Sequence, residues 1–168
     1  MSVTAYIGLG SNLAAPLNQL AGAIAALAAL PQTTLMAQSP FYRSRPVGPQ
    51  DQPDFVNGAA MLTTDLSPLA LLDHLQRIER AHGRQRTEHW GPRTLDLDLL
   101  LYGQQVVQND RLTVPHAELP QRDFVLQPLL DLTPELQLPD GRTVASLRSR
   151  CPDNGLQRLK PVAKDPPL

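Results

Sequence analysis

The chain has 168 residues, 42% of them hydrophobic and 18% charged, which is enough for one domain with its own core and too short to expect two. A formal net charge of -1 excludes a surface that binds nucleic acid throughout, so any basic site must be local. The lone cysteine, Cys151, excludes an intrachain disulfide, and with no charged leader and apolar core ahead of the first strand the expectation is a cytoplasmic protein without membrane insertion.

In chain order, Val3 to Gly8 reads as a strand that ends in a Gly8-Leu9-Gly10 turn. This GxG is no dinucleotide fingerprint, because Leu13 stands where a third glycine is needed and no Asp or Glu occurs before Asp51. Pro16 opens a helix to about Leu30, with Leu17, Leu20, Ala21, Ile24, Leu27 and Ala28 as its core stripe. Thr33 to Arg43 is predicted as a second strand and Phe55 to Leu62 as a third. Between them, Pro46, Gly48, Pro49 and Pro53 make Arg43 to Pro53 a stiff loop of the kind that shapes sites. Ser67 and Pro68 start a second helix, with Leu69, Leu72, Leu75 and Ile78 inward and Gly83 as its stop. Gln76 and Glu79 fall one turn apart on its flank.

The chemistry concentrates in Gly83 to Tyr102. Its first half gathers Arg84, Arg86, His89, Trp90 and Arg93 around Gly91-Pro92, a cationic surface loop with one large aromatic. Its second half, Leu95 to Leu101, alternates apolar and acidic before becoming wholly apolar, as a strand does when it passes from half-exposed to buried. Asp96 and Asp98 then share one face, about 6.6 Å apart along the backbone. Two carboxylates that close repel unless something positive lies between them. A pair of Mg2+ ions about 3.5–4 Å apart would share them while gripping phosphate oxygens, which also suit the forked guanidinium of arginine. An Asp-x-Asp is often only a solvated face, and an Arg-rich loop often serves solubility. The two together, with Trp90 set between Arg86 and Arg93, are required by neither, and phosphoryl transfer is the first hypothesis.

Further on, Gly103 to Gln105 turns the chain toward a short hairpin at Val106-Val107, and Leu119 to Leu132 reads as short helical turns. Pro139-Asp140-Gly141 is a turn and Val144 to Arg150 a last helix. We expect one domain over residues 1–160, and after Cys151 a disordered Pro- and Lys-bearing stretch whose end, 161–168, is a flexible tail. No GxxxxGK[ST] loop occurs, so ATP is not held as in P-loop enzymes.

The run Trp90-Gly91-Pro92-Arg93-Thr94-Leu95-Asp96-Leu97-Asp98 resembles the signature of the 6-hydroxymethyl-7,8-dihydropterin pyrophosphokinase family, folate-pathway enzymes that move a pyrophosphate from ATP to a pterin alcohol. The likeness extends to Gly8-Leu9-Gly10-Ser11-Asn12-Leu13, to Phe41-Tyr42-Arg43, to Gly48 through Asn57, and to Arg111 through His116. It implies an α+β fold, a ferredoxin-like βαββαβ sandwich with helices on both sides of a mainly antiparallel sheet, in agreement with the element order above. It also implies Arg84, Arg93, Asp96 and Asp98 as catalytic residues, the two aspartates holding two Mg2+ ions. Pterin would meet Ser44, Val47, Phe55, Asn57, Trp90 and Phe124, with Phe55 and Phe124 as the two rings of a sandwich. ATP would meet Gln76, Glu79, Arg86, Leu99, Arg111, Thr113, His116 and Arg122. The pterin assignment makes chemical sense, because a flat heterocycle needs an aromatic face and an amide that both donates and accepts. Without the resemblance, Phe55 and His116 would read as core. Ser44-Arg45, His89 and Ala117 depart from the pattern of some relatives.

The expected reaction is in-line attack of the pterin hydroxyl on the β-phosphorus with release of AMP. A lid over Arg84 to Trp90 is expected to close on the ternary complex. ATP and the hydroxymethyl dihydropterin are the expected partners of a monomer, without nucleic acid or membrane. One rival is a non-catalytic ferredoxin-like module that binds a nucleotide or pterin. The other is an RNA-binding domain, which 4% aromatic content disfavours.

Overall fold

Alternation of side chains along the strands sorts the molecule into two cores. The computed structural model describes residues 2–12, 15–44, 54–82, 95–152 and 155–159. In chain order these form β1 (Val3–Ser11), α1 (Pro16–Ala28), β2 (Thr33–Gln38), β3 (Tyr42–Ser44), β4 (Phe55–Thr64), α2 (Pro68–His82) and β5 (Leu95–Tyr102). The small strands β6 (Val107–Gln108) and β7 (Thr113–Val114) follow, then a 3-10 turn at Leu119–Gln121, α3 (Asp123–Leu132), α4 (Val144–Arg150) and β8 (Gln157–Arg158).

The main sheet runs β5-β1-β4-β3-β8, with β2 also pairing β4, and its pairings are antiparallel. Taking β2 and β3 as one broken strand, the strand order is that of a ferredoxin-like fold. Ala5, Ile7 and Leu9 of β1 face α1 and α2 in one core with Leu20, Leu27, Leu71 and Leu75. Tyr6 faces the other way, into a second core that α3 and α4 close with Leu126, Leu129, Val144 and Leu147. Helices therefore cover both faces of an antiparallel sheet, each burying the apolar alternate of the strands.

In β5, Leu95, Leu97 and Leu99 join the first core, but Leu100 and Leu101 both join the second. The register with β1 slips there, between Tyr6 and Ile7, leaving Leu100 as the extra residue of a bulge. Before the bulge, Asp96 and Asp98 alternate with the buried leucines and sit half-buried on the α3 side.

Several boundaries differ from the sequence expectation. β1 does not turn at Gly8-Leu9-Gly10 but continues to Ser11, because β4 and β5 flank it on both sides and supply the ladder. The segment expected as one strand over Thr33 to Arg43 is broken at Ser39–Phe41, where Pro40 has no N–H to give and the Ser39 hydroxyl accepts the Ala59 N–H at 2.9 Å. β4 runs two residues past Leu62. α1 ends at Ala28, and its buried stripe is Leu20, Ala23 and Leu27, so that Ala21 and Ala28 lie more than about 100° round the helix and are exposed. In α2, Leu71 and Leu75 centre the contact, which turns Leu69 about 140° away to the surface. Leu119 to Leu132 holds a regular ten-residue helix, with Pro128 buried inside it. The hairpin near Val107 is made with β7. Beyond Cys151 the chain is not wholly irregular: β8 pairs with β3, and the Leu159 N–H donates to the Phe41 carbonyl at 2.9 Å. Residues 160–168 lie outside the described residues. No described helix is long and apolar enough to cross a membrane.

Candidate functional site

The α3 side of the sheet carries a row of small and polar residues where a core would otherwise continue. Asp96 pairs with Gly10, Gly10 with Asn57, and Asn57 with Tyr42, while Asp98 pairs with Gly8 and Gly8 with Ala59. Directly paired residues share a face, so Gly8 and Gly10 lie between the two aspartates and Asn57, about 10 Å across two strand spacings, and give room that the Leu100 side chain takes over Gly8 and the Asn57 amide over Gly10. Gly10 cannot carry a side chain: a Cβ there would lie 2.6 Å from Asn57 Nδ2. Sequence reading dismissed this Gly-x-Gly as a false fingerprint and missed its use. The available signal was glycine inside a strand pattern, which marks close approach of backbone or ligand.

Next to these glycines, the Ser44 hydroxyl donates to Asn57 Oδ1 at 3.1 Å, which fixes the amide and turns its nitrogen over Gly10. Phe55 pairs with Ser44 and lies half-buried on the same face. Phe124 is half-buried in the first turn of α3, and the Arg122 guanidinium sits 5.6 Å from its ring centroid, in cation–π contact. Tyr42, two residues before Ser44, donates to Asp131 at the far end of α3. Burial first, and then the bond to Asp131, pushes its phenol up to about 12. The structure thus brings Ser44, Asn57, Phe55 and Phe124 to the same side of the sheet.

A second cleft of about 230 Å3 opens at the β5 edge, lined by Asp98, Leu99, Arg111, Thr113, His116 and Ala117 among others. Arg111 is set by the β6–β7 hairpin, where Asn109 Oδ1 accepts the N–H groups of Arg111 and Leu112 at 2.9 and 3.0 Å. Its guanidinium donates to Asp73 Oδ1 at 2.6 Å and Gln76 Oε1 at 3.2 Å, both on α2. This guanidinium holds the Asp73 carboxyl below its ordinary value. Asp73 was not foreseen, although it lies three residues before Gln76 on the same helix flank. The His116 N–H donates to the Leu100 carbonyl at 3.1 Å, and its Nδ1 accepts from the Glu118 N–H at 3.2 Å, so a neutral ring carries its proton on Nε2. Glu79 accepts the Leu97 N–H on Oε2 at 2.8 Å. Leu99 is 3% exposed and packs in the first core, so only its backbone is offered to the cleft.

Arg84, Arg86, Trp90, Arg93 and Val47, and with them the expected lid, lie outside the described residues. Among the described residues no group of three or more His, Cys, Asp and Glu gathers as a metal cage. Asp96 and Asp98, half-buried oxygen donors on the strand beside Gly8 and Gly10, fit a hard cation that takes its remaining ligands from phosphate and water.

Comparison with known proteins bears on the family and the fold. Residues 6–134 match the family model described as 7,8-dihydro-6-hydroxymethylpterin-pyrophosphokinase (HPPK). A Haemophilus influenzae protein named 2-amino-4-hydroxy-6-hydroxymethyldihydropteridine pyrophosphokinase is 50% identical over 159 residues, 95% of this chain and 99% of its own length. A Pseudomonas aeruginosa protein of the same name is 55% identical over 154 residues, 92% of this chain and 95% of its own. Among solved structures, Plasmodium falciparum HPPK-DHPS, wild type with STZ-DHP, superposes with a TM-score of 0.70 at 13% identity, covering 89% of this chain and 43% of that one. That likeness is one of fold, and this chain spans less than half of the larger protein. With the family model spanning β1 to the end of α3 and close relatives matching over nearly their whole length, the chain belongs to the 7,8-dihydro-6-hydroxymethylpterin-pyrophosphokinase family.

Proposed function

We propose that the chain transfers the diphosphate of ATP to the hydroxymethyl group of 6-hydroxymethyl-7,8-dihydropterin, releasing AMP, in folate biosynthesis. The observation that carries this reading is the row Asp96–Gly10–Asn57, with Asp98 opposite Gly8 beside it, which sets two carboxylates one glycine strand away from an amide suited to a heterocycle edge. The pterin lies there between Phe55 and Phe124, its polar edge read by Asn57 and Ser44 and bounded by Val47 and Trp90. The nucleotide occupies the β5-edge cleft, with Arg111, Thr113 and His116 Nε2 as donors to it, the Leu99 backbone beside it and Gln76 behind Arg111. Arg86 and Arg122 add further cationic contacts to the nucleotide.

Asp96 and Asp98 hold two Mg2+ ions, which when bound supply positive charge against the phosphate oxygens. The hydroxyl oxygen of the pterin forms a bond to the β-phosphorus as the bond from that phosphorus to the oxygen bridging it to the α-phosphate breaks. AMP departs with the electron pair, and the hydroxyl proton passes to water. Arg84 and Arg93 neutralise charge on the transferred group. Positioning carries most of the rate, because the two substrates are presented from adjacent clefts of one sheet. We take the active unit to be a monomer and place the activity in the cytoplasm.

The test is product identity. With ATP, Mg2+ and the hydroxymethyl dihydropterin, AMP and a pterin diphosphate should form in equal amounts. ADP with a pterin monophosphate, or binding of both ligands without turnover, would contradict the proposal.

A further inference from the structure

Along α2, Asp73, Gln76 and Glu79 recur every three residues beside the core positions Leu72, Leu75 and Ile78, and each holds a part of the nucleotide cleft. Asp73 and Gln76 take Arg111. Glu79 instead takes backbone, accepting the N–H of Leu97 at 2.8 Å, and Leu97 is the residue between the two aspartates.

β5 is the last strand of the main sheet, with β1 as its ladder neighbour. Among the described residues no strand meets the N–H groups on its other side, and such an edge is where register is easily lost. The danger here is concrete, because β5 already carries a bulge at Leu100, two residues past Asp98. Strand side chains alternate with period two, so moving the extra residue back to Leu97 would leave Asp96 opposite Gly10 but set Asp98 opposite Leu9, turning it toward the leucine-lined core and separating the two carboxylates. An anionic oxygen on the Leu97 N–H pins the strand within the aspartate pair and confines the bulge to Leu100.

We propose that Glu79 is a positioning residue for Asp96 and Asp98. It acts through the backbone of Leu97 and is not itself a nucleotide contact, which revises its expected role. The inference rests on the reading of the aspartate pair as the Mg2+ site, and adds what keeps that pair in register.

The experiment compares the wild type with Glu79→Gln, Glu79→Asp and Glu79→Leu. Two quantities are read: hydrogen exchange of the Leu97 amide by NMR, and Mg2+ affinity by calorimetry with a non-hydrolysable ATP analogue present. Glu79→Gln retains an acceptor of the same reach, so exchange at Leu97 and Mg2+ affinity should stay near the wild type. Glu79→Leu removes the acceptor, and Glu79→Asp keeps the charge but withdraws it by one methylene. Both should speed Leu97 exchange and weaken Mg2+ binding by about tenfold or more, the usual effect of losing a partner that orients a metal ligand. Affinity for the analogue without Mg2+ should not change.

Should Glu79→Leu fail to fold, Glu79→Asp against Glu79→Gln decides by the same two readings. Unchanged Leu97 exchange in Glu79→Asp and Glu79→Leu overturns the proposal. So does loss of metal-free analogue affinity in all three variants with Leu97 still protected, which would make Glu79 a direct ligand contact. If the wild type itself bound no Mg2+, the reading of the aspartate pair would fail, and Leu97 exchange alone would still report whether Glu79 pins the strand.

Discussion

Gly10 shows how a single missing side chain can define a site. A methyl group there would stand 2.6 Å from Asn57 Nδ2, closer than Cβ atoms come to their neighbours, so Gly10→Ala must displace the Asn57 amide from the Ser44 hydroxyl. Losing one or two well-placed hydrogen bonds to the pterin costs about 1–2 kcal/mol, or roughly ten-fold in affinity. Calorimetric titration should show that loss for pterin and little change for ATP, whereas equal losses for both would place Asn57 outside the pterin site. Phe55→Ala and Phe124→Ala test the walls of the same cleft. Each should weaken pterin binding by on the order of 1 kcal/mol and spare ATP, read by the same titration. Asp96 and Asp98 were singled out by the acidic alternation of their strand beside an Arg-rich loop, and Ser44 and Asn57 by the resemblance. Gly10 was not, since its role depends on what stands opposite on β4, and pairing partners are not written in a single strand.

At the scale of elements, the wall that carries Phe124 is tied to the strand that carries Ser44. Tyr42 of β3 donates to Asp131 of α3, Asp131 accepts from Gln127 at 3.3 Å, and Gln127 accepts from Arg148 of α4 at 3.2 Å. This chain of bonds has a pH signature. The Tyr42 phenol is raised from 10.0 to about 12, so the folded protein keeps it protonated where the unfolded chain would ionise. Its contribution is therefore complete below pH 10 and is lost as pH rises from 10 through 12. The stability difference between the wild type and Tyr42→Phe should shrink over that window by about 2 kcal/mol, at roughly 1.4 kcal/mol for each step in pKa. Urea unfolding at intervals from pH 9 to pH 12 measures it, and a difference that stays constant would refute the account of Tyr42. Tyr102, raised chiefly by burial, is present in both proteins and cancels. Helices α1 and α2 were foreseen from spacing and their opening prolines, and α4 was placed at Val144 to Arg150. α3 was expected only as short helical turns, because Pro128 lies inside it and a proline reads as a break until its burial in the second core is known.

At the scale of the molecule, the order strand-helix-strand-strand-helix-strand was enough to name the ferredoxin-like half, since short connections and antiparallel neighbours leave few alternatives. What lay beyond reach was the other half. β5 is apolar on both faces after Asp98, which says that something covers each, but not that α3 and α4 do so or that β8 returns to pair with β3. The consequence for function is that one sheet face is divided between core and site, Leu100 and Tyr6 on one side of the boundary and Asp98 and Gly10 on the other. The aspartates are held there by the sheet, and we assign them to metal and phosphate rather than to stability. The most direct test is to change Asp96→Asn and Asp98→Asn separately, and to record a metal-free thermal melt beside Mg2+-dependent AMP release. Asparagine keeps the shape and removes the charge, so each variant should melt no lower than the wild type while losing most of its turnover, with weaker Mg2+ binding. Near-normal AMP release in either variant, or a melting temperature that falls in step with a proportionate loss of activity, would contradict the assignment.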